Sequence, residues 1–311
     1  MPPTAPPAPN AETRTVAPSR RRHLRRGWSV QRIVLGLLLA GLALLACSRA
    51  WADIFWIAWR DDEASQIWLT PFVAAWLVWI RWDALRRTRP RYSLVGPALV
   101  AAGIVTNILG FAGNVELAWH AGAVLALVGA VATVVGSRIL VRALPAVAVL
   151  VFLVPVPSSI RQQIALPLQQ GVAYASEIVF DLMTLDVRRE GNLLTYNGQT
   201  AMIAEACNGM RMMFALLLVA YAFAFGTPLI PQVRVALIVI APFVAILCNI
   251  IRVVPTVIVI GHYPDAVGTL FHDLSAWVML GIAFAILLGL VRLLDWAEVP
   301  VMQRQVALAT A

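Results

Sequence analysis

The feature that most constrains this chain is a series of apolar runs, each close to the ~20 residues that a helix needs to cross a bilayer. Only 13% of the residues are charged and 60% are hydrophobic, whereas soluble domains carry roughly 25% charged residues. We therefore predict an all-α integral membrane protein. About eight transmembrane helices are expected, at residues 33–50, 64–81, 94–113, 117–136, 139–157, 207–226, 235–260 and 270–293.

The distribution of arginine predicts the topology. The net charge is +8 and the chain contains no Lys. Its Arg residues cluster at the ends of apolar runs, which favours the positive-inside rule over nucleic-acid binding. The clusters predicted to be cytoplasmic are 20–26, 81–91, Arg138 with Arg142, Arg234 and Arg292, and the loops predicted to lie outside are 60–65 and 113–116. Both termini are then cytoplasmic.

The chain divides into three regions. Residues 1–32 are rich in Pro and Arg and are predicted to be a disordered cytoplasmic N-terminus. Residues 33–296 form the transmembrane domain, and 297–311 form a short cytoplasmic tail. The basic cluster and first apolar run also resemble a signal peptide, with a faint lipoprotein-type cleavage site at LLAC (44–47). The further spans favour an uncleaved first helix.

The segment between the fifth and sixth spans is predicted to lie outside the membrane. Residues 160–185 mix polar and apolar side chains, as in an amphipathic helix at a membrane surface. Residues 186–206 carry the turn signals Gly-Asn and Asn-Gly between short alternating runs, which predicts a small hairpin.

Reactive side chains from three separate spans are predicted to meet at the outer face. The stretch EACNGMR (205–211) opens the sixth span, and Arg252 lies 18 residues after Arg234 in the seventh. At ~1.5 Å per residue, a helix places Arg252 about 27 Å from the inner surface. The residues expected at the outer surface are Cys207, Arg211, Asn249, Arg252 and His272.

These residue types suit acyl transfer through a thioester. The positive end of a helix dipole and Arg211 favour the thiolate of Cys207, although a buried structural cysteine is the alternative interpretation. Arg252 is a candidate oxyanion stabiliser, or else it extends to the outer headgroups. His272 is the candidate proton shuttle, with His262 in a predicted turn and His120 as rivals.

No cofactor or metal is predicted. The chain has no Gly-rich phosphate loop and no HExxH motif, and one Cys with one outward His makes a poor zinc site. Three Cys, at 47, 207 and 248, form no disulfide framework. Glu205 is as well suited to capping the sixth span as to catalysis.

Taken together, three motifs resemble the exosortase/archaeosortase family. They are EACNGMR, the Asn-x-x-Arg element NIIR (249–252) and the His element HD (272–273), and the turn REGN (189–192) is also similar to the family. Two departures are Asn208, where Ser is commoner, and Ala276, where a Gly often follows the His.

The resemblance implies a membrane cysteine peptidase or transpeptidase of the bacterial inner membrane, with its active site facing the periplasm. Its partners would be membrane-anchored secreted proteins with a C-terminal sorting signal, such as Pro-Glu-Pro followed by an apolar span and a basic tail. A surface glycan is a possible acceptor. Cys207 would be the nucleophile, His272 the acid/base and Arg252 the stabilising cation, with supporting roles for Glu205, Asn208, Arg211, Asn249 and Asp273.

Two other functions stay open at this point. A non-catalytic assembly or transport subunit for surface polysaccharide or protein export explains the hydrophobicity and the intramembrane polar groups equally well. An acyltransferase with a membrane-embedded His is the other, but it needs a lipid or coenzyme site that the sequence does not indicate.

Overall fold

The computed structural model describes residues 29–202, 209–263 and 265–296, and it is predominantly helical over them. The helices are α1 (Val30–Ala46), α2 (Ser48–Arg60), α3 (Gln66–Ile80), α4 (Trp82–Arg87), α5 (Val95–Ala112), α6 (Glu116–Val135), α7 (Ser137–Arg142), α8 (Leu144–Ala148), α9 (Ser158–Leu182), α10 (Gly209–Gly226), α11 (Pro231–His262) and α12 (Asp265–Trp296). Short 3₁₀ helices cover Asp62–Ala64 and Val149–Leu153, and the strands are β1 (Arg188–Glu190), β2 (Leu193–Tyr196) and β3 (Gln199–Met202).

The structure confirms an all-α membrane architecture. Among the described residues, four helical segments are long and apolar enough to cross a bilayer: α5, α6, α11 and residues 277–296 of α12. Two further candidates arise if the sharply bent pairs are each counted as one span, which gives up to six. Helix α3 and residues 210–226 of α10 are apolar but shorter. The number of eight spans stays a prediction.

The pair α5 and α6 packs unusually closely because glycines line its contact. Gly96, Gly103 and Gly110 recur every seven residues on α5. A Cβ atom built on Gly103 would lie 2.4 Å from the backbone nitrogen of Ala126. Small residues at this spacing let two helix backbones approach within a membrane, where packing rather than the hydrophobic effect holds helices together.

A sharp bend follows the first helix and corrects the predicted span at 33–50. Helix α1 ends at Ala46, and α2 leaves it at an angle of 78°. Helix α2 buries Ala50, Ile54 and Ala58, which are four residues apart, and exposes Trp56 and Trp59. This narrow apolar stripe with an aromatic outer face is typical of a helix at the membrane–water interface. The hydropathy of 33–50 gave no signal of the bend.

The predicted fifth span, 139–157, is not one helix. It is divided into α7, α8 and the 3₁₀ helix Val149–Leu153, and the chain then turns by 88° into α9. Pro145 begins a new helix at α8 because proline is favoured in the first turn and disfavoured inside a helix. Pro157 occupies the N-cap position of α9.

The predicted amphipathic helix and hairpin are both present. Helix α9 extends over 25 residues. The hairpin has a third strand, so that β1, β2 and β3 form an antiparallel meander. Asn197 and Gly198 join β2 to β3, and both have positive φ, as the tight turns favoured by Asn-Gly require. The location of α9 outside the membrane stays a prediction.

Residues predicted to lie on the cytoplasmic side contact one another at one end of the bundle. Arg81 donates to the carbonyl of Phe225, at 2.7 Å, and Arg234 donates to that of Ala224, at 2.9 Å. Arg142 of α7 donates to the hydroxyl of Thr88, which follows α4. The arginines at this end thus cap the last turn of α10 and connect neighbouring helices. Which compartment this end faces stays a prediction.

The C-terminal half has its own core, which fixes the position of α11. Helices α10, α11 and α12 pack around fully buried aliphatic side chains, including Leu216, Leu237 and Leu287. Helix α11 continues through Gly261 to His262, so His262 lies in the last turn of this helix and not in the predicted turn.

Candidate active site

A polar stripe on α11 forms the centre of the candidate site. Asn249 is 2% exposed, Arg252 is 4% exposed and Thr256 is 1% exposed. The Thr256 hydroxyl donates to the carbonyl of Arg252 at 2.8 Å, within the helix. By contrast, Asn249 Oδ1 and Arg252 Nε are buried, and neither has a hydrogen-bond partner in the part of the chain that the structure describes.

Burying the guanidinium of Arg252 is costly. No carboxylate of the described residues forms an ion pair with it. An unpaired buried charge costs several kcal/mol, and Arg within a membrane helix is usually paired or faces a polar cavity. The predicted alternative, an arginine that extends to the headgroups, requires an exposed guanidinium. The burial of Arg252 argues against that alternative.

Helix α9 and strands β1–β3, together the α9–meander unit, enclose the half of α11 that follows Arg252. The shared apolar core consists of Val172, Ala173, Phe180, Val187, Leu194, Ala201, Val253 and Val257. Arg189 of β1 donates to Glu177 of α9 at 2.5 Å. Tyr196 packs on Gly261, where a Cβ would lie 2.3 Å from the tyrosine ring. The unit therefore packs against the C-terminal half of α11.

Arg211, in the first turn of α10, lines a cavity of about 380 Å³. The other lining residues are Ala58, Trp59, Asp61, Ser65 and Trp68. The cavity thus lies between the start of α10 and the loop that joins α2 to α3. Both elements were predicted to lie at the outer face, and the cavity places them side by side.

One arginine secures the α2–α3 loop. Arg161 of α9 forms ion pairs with Asp61 and, at 2.9 Å, with Glu63. Burial raises the pKa of Glu63 above its ordinary value, and the charge of Arg161 opposes that increase. Sequence analysis did not identify this network. The opposite charges of the loop RDDEAS and of Arg161, both predicted outside, were the available signal.

The other predicted site residues fall where the structure gives no side chain. Glu205, Cys207 and Asn208 lie outside the described residues. His272 and Asp273 lie on α12, and the described residues do not include their side chains. The structure therefore places Asn249 and Arg252 on one buried stretch of α11, and Arg211 and Asp61 on the lining of one cavity. The contact of Cys207 and His272 with Arg252 stays a prediction.

Most of the chain matches the model of a known protein family. The family model for transmembrane exosortases (Exosortase_EpsH) matches residues 56–289, well over half of the chain. The chain belongs to the transmembrane exosortase family. No curated protein and no solved structure matches it. The match includes the end of α2, α3 to α11 and most of α12, so the polar stripe and the α9–meander unit belong to the exosortase region.

The rival histidines of this exosortase have other environments. His120 of α6 is buried, and its Nε2 lies 2.9 Å from Asp53 Oδ2 of α2. His262 is exposed at the end of α11, where its Nδ1 lies 2.9 Å from the carbonyl of Ile258. His120 thus connects two helices, and His262 caps a helix end. Within the described ranges, no group of three potential ligands is placed to hold a metal.

Proposed function

We propose that the protein is an integral membrane cysteine peptidase or transpeptidase. It cleaves the C-terminal sorting signal of secreted proteins at the outer face of the inner membrane, through a thioester. Family membership supports a membrane enzyme that acts on such substrates. The observation that carries the proposal is the buried guanidinium of Arg252, whose Nε, like the amide oxygen of Asn249, has no hydrogen-bond partner among the described residues.

The proposed reaction has two steps. The thiolate of Cys207 attacks the carbonyl carbon of the scissile peptide bond, and a tetrahedral intermediate forms. Arg252 stabilises its oxyanion, because a charged donor in a water-poor site is worth far more than one in water. His272 then gives a proton to the leaving amine, and the carbonyl stays bound to sulfur as a thioester.

The second step releases the acyl group. A nucleophile, which is water, an amine or a glycan hydroxyl, loses a proton to His272 and attacks the thioester carbonyl. The sulfur of Cys207 leaves as thiolate. Because enzyme and substrate are both anchored in the bilayer, the scissile bond is delivered at a fixed depth. Membrane anchoring thereby replaces part of the three-dimensional diffusional search for the active site with positioning.

Cysteine substitutions test the proposal with an internal control. A secreted reporter is given a C-terminal segment of short motif, apolar span and Arg-rich tail, taken from a protein of the same genome, and its processing is followed on a gel. Cys207→Ala abolishes processing. Cys248→Ala, which removes a buried thiol one turn before Arg252, leaves processing near the wild-type level. Processing that survives Cys207→Ala would refute the thioester mechanism and favour a non-catalytic assembly subunit.

A further inference from the structure

Strand β3 forms an open edge of the meander. The sheet order is β1–β2–β3, so β3 pairs with β2 on one side only. Among the described residues, no backbone hydrogen bond is made to its other side. Gln199 and Thr200 are exposed, whereas Ala201 is buried in the core shared with α9 and α11. One face of β3 thus packs on the bundle, and its outer edge is open in the part of the chain that the structure describes.

The register of the hairpin determines which backbone groups point to that edge. The turn between β2 and β3 has two residues, so Tyr196 and Gln199 form the first pair and exchange both hydrogen bonds. Pairs alternate along an antiparallel ladder, and the next pair, Thr195 with Thr200, is therefore not hydrogen-bonded. The two threonine hydroxyls lie 3.1 Å apart, which agrees with the closer approach of side chains in such pairs. The N–H and C=O groups of Thr200, and of Met202 two residues later, therefore point outward.

The two edges of the sheet differ in charge. Native edge strands are commonly protected from further pairing by charged side chains, by proline or by a covering element. Strand β1 has this protection, because all three of its residues are charged and Arg189 forms an ion pair with Glu177 of α9. Strand β3, with the sequence Gln-Thr-Ala-Met, has neither a charge nor a proline. Its edge therefore keeps the capacity to pair with another strand.

The open edge lies close in the chain to the proposed nucleophile. Met202 ends β3, and Cys207 follows five residues later. A chain spans at most about 3.6 Å per residue, so the Cα atoms of these two residues lie within about 18 Å of each other. A strand rises about 3.3 Å per residue, so a substrate paired with β3 needs only about five further residues to reach the thiol.

We propose that the outer edge of β3 binds an extended segment of the secreted substrate, next to its scissile bond, as a fourth strand of the meander. Substrate backbone that is unwound from its membrane helix has N–H and C=O groups to satisfy, and near lipid each unsatisfied group is costly. The outward groups of Thr200 and Met202 satisfy them, since main-chain hydrogen bonds supply the affinity when a peptide joins a sheet edge. The inference rests on the proposed function, because it assigns the way in which the same site holds its substrate.

Backbone N-methylation of the substrate tests the pairing without altering the enzyme. Synthetic copies of the reporter's cleaved region each carry one N-methylated residue before the scissile bond, and their turnover by purified full-length protein is measured. In a paired strand, alternate residues direct their N–H to the neighbouring strand. We expect every second methylation to lower kcat/KM about fivefold to tenfold, mainly by raising KM, which is the effect of one lost hydrogen bond. Methylation of the residues between them leaves kcat/KM near the unmodified value. Equal losses at all positions, or no loss at any, would overturn the inference.

Thr200→Pro tests the same edge from the side of the enzyme. Proline removes the outward N–H but no hydrogen bond of the β2–β3 ladder, and edge strands tolerate it. The control, Thr195→Val, removes the same Thr195–Thr200 hydroxyl contact from the central strand and leaves the edge intact. We expect Thr200→Pro to raise KM about fivefold to tenfold and Thr195→Val to leave KM unchanged, at similar thermal midpoints. An unchanged KM in Thr200→Pro would contradict the inference, and if its midpoint is lower, the methylation pattern decides.

Light scattering of the purified protein separates substrate binding from pairing between two copies of the chain. A dimer that Thr200→Pro converts to a monomer would assign the edge to a second copy and would overturn the inference. If Cys207→Ala abolishes processing of the reporter while the alternating methylation pattern is absent, the proposed function stands and only this inference fails.

Discussion

At the scale of the residue, Arg252 is the side chain whose environment says most about chemistry. Its guanidinium is buried in a membrane helix, and among the described residues it has no counter-ion. Sequence alone left two interpretations, an arginine that reaches the headgroups and one that stabilises charge in a site. The burial favours the second, because an extended arginine keeps its charged group in water.

The planar shape of the guanidinium gives a prediction for Arg252→Lys. Lysine keeps the positive charge but lacks the forked donors, and its ammonium is more strongly hydrated. We expect the rate of reporter processing to fall by roughly 100-fold, comparable to the loss of one oxyanion donor. Steady-state kinetics of purified protein measure it. Wild-type turnover in Arg252→Lys would show that Arg252 acts only as a charge.

At the scale of the element, the pair α5 and α6 is held by backbone contact rather than by large side chains. A Cβ on Gly103 would lie 2.4 Å from the backbone of Ala126, and one on Gly122 would lie 2.3 Å from that of Asn107. Side-chain atoms never approach backbone atoms this closely, so any larger residue must push the helices apart. Loss of close packing weakens association directly in a bilayer.

Gly103→Val therefore tests the helix pair, with Gly281→Val as its matched control. Both replace a helical glycine by the same residue, but a Cβ on Gly281 meets nothing within 4 Å. We expect Gly103→Val to destabilise the protein by about 1–3 kcal/mol or more, as overpacking does, and Gly281→Val to have a much smaller effect. Thermal unfolding in detergent measures both. Equal midpoints for the two variants would contradict the close contact.

At the scale of the whole molecule, the sequence predicted straight apolar helices best. The predicted spans 94–113 and 117–136 differ from α5 and α6 by a single residue at each end, because nothing interrupts their hydropathy. It missed the bends at Cys47 and within 139–157, because average hydropathy carries no information on direction. Turn signals at Gly191 and Asn197 did predict the hairpin, although not its third strand, because positive φ restricts residue choice.

The sequence also predicted part of the candidate site. The motif NIIR correctly indicated a shared polar face for Asn249 and Arg252. The cavity beside Arg211 was not predicted, because nothing in the sequence joins the start of α10 to the distant α2–α3 loop.

The central claim is that Cys207 is a reactive thiol in a site that faces away from the cytoplasm. It is tested most directly by labelling with a membrane-impermeant thiol reagent, with the outer face of the membrane exposed. The full-length protein carries Cys47→Ala and Cys248→Ala, which leaves Cys207 as its one cysteine. We predict rapid labelling without lysis, and slower labelling when His272→Gln is added. Labelling only after permeabilisation, or at the same rate without His272, would contradict the account.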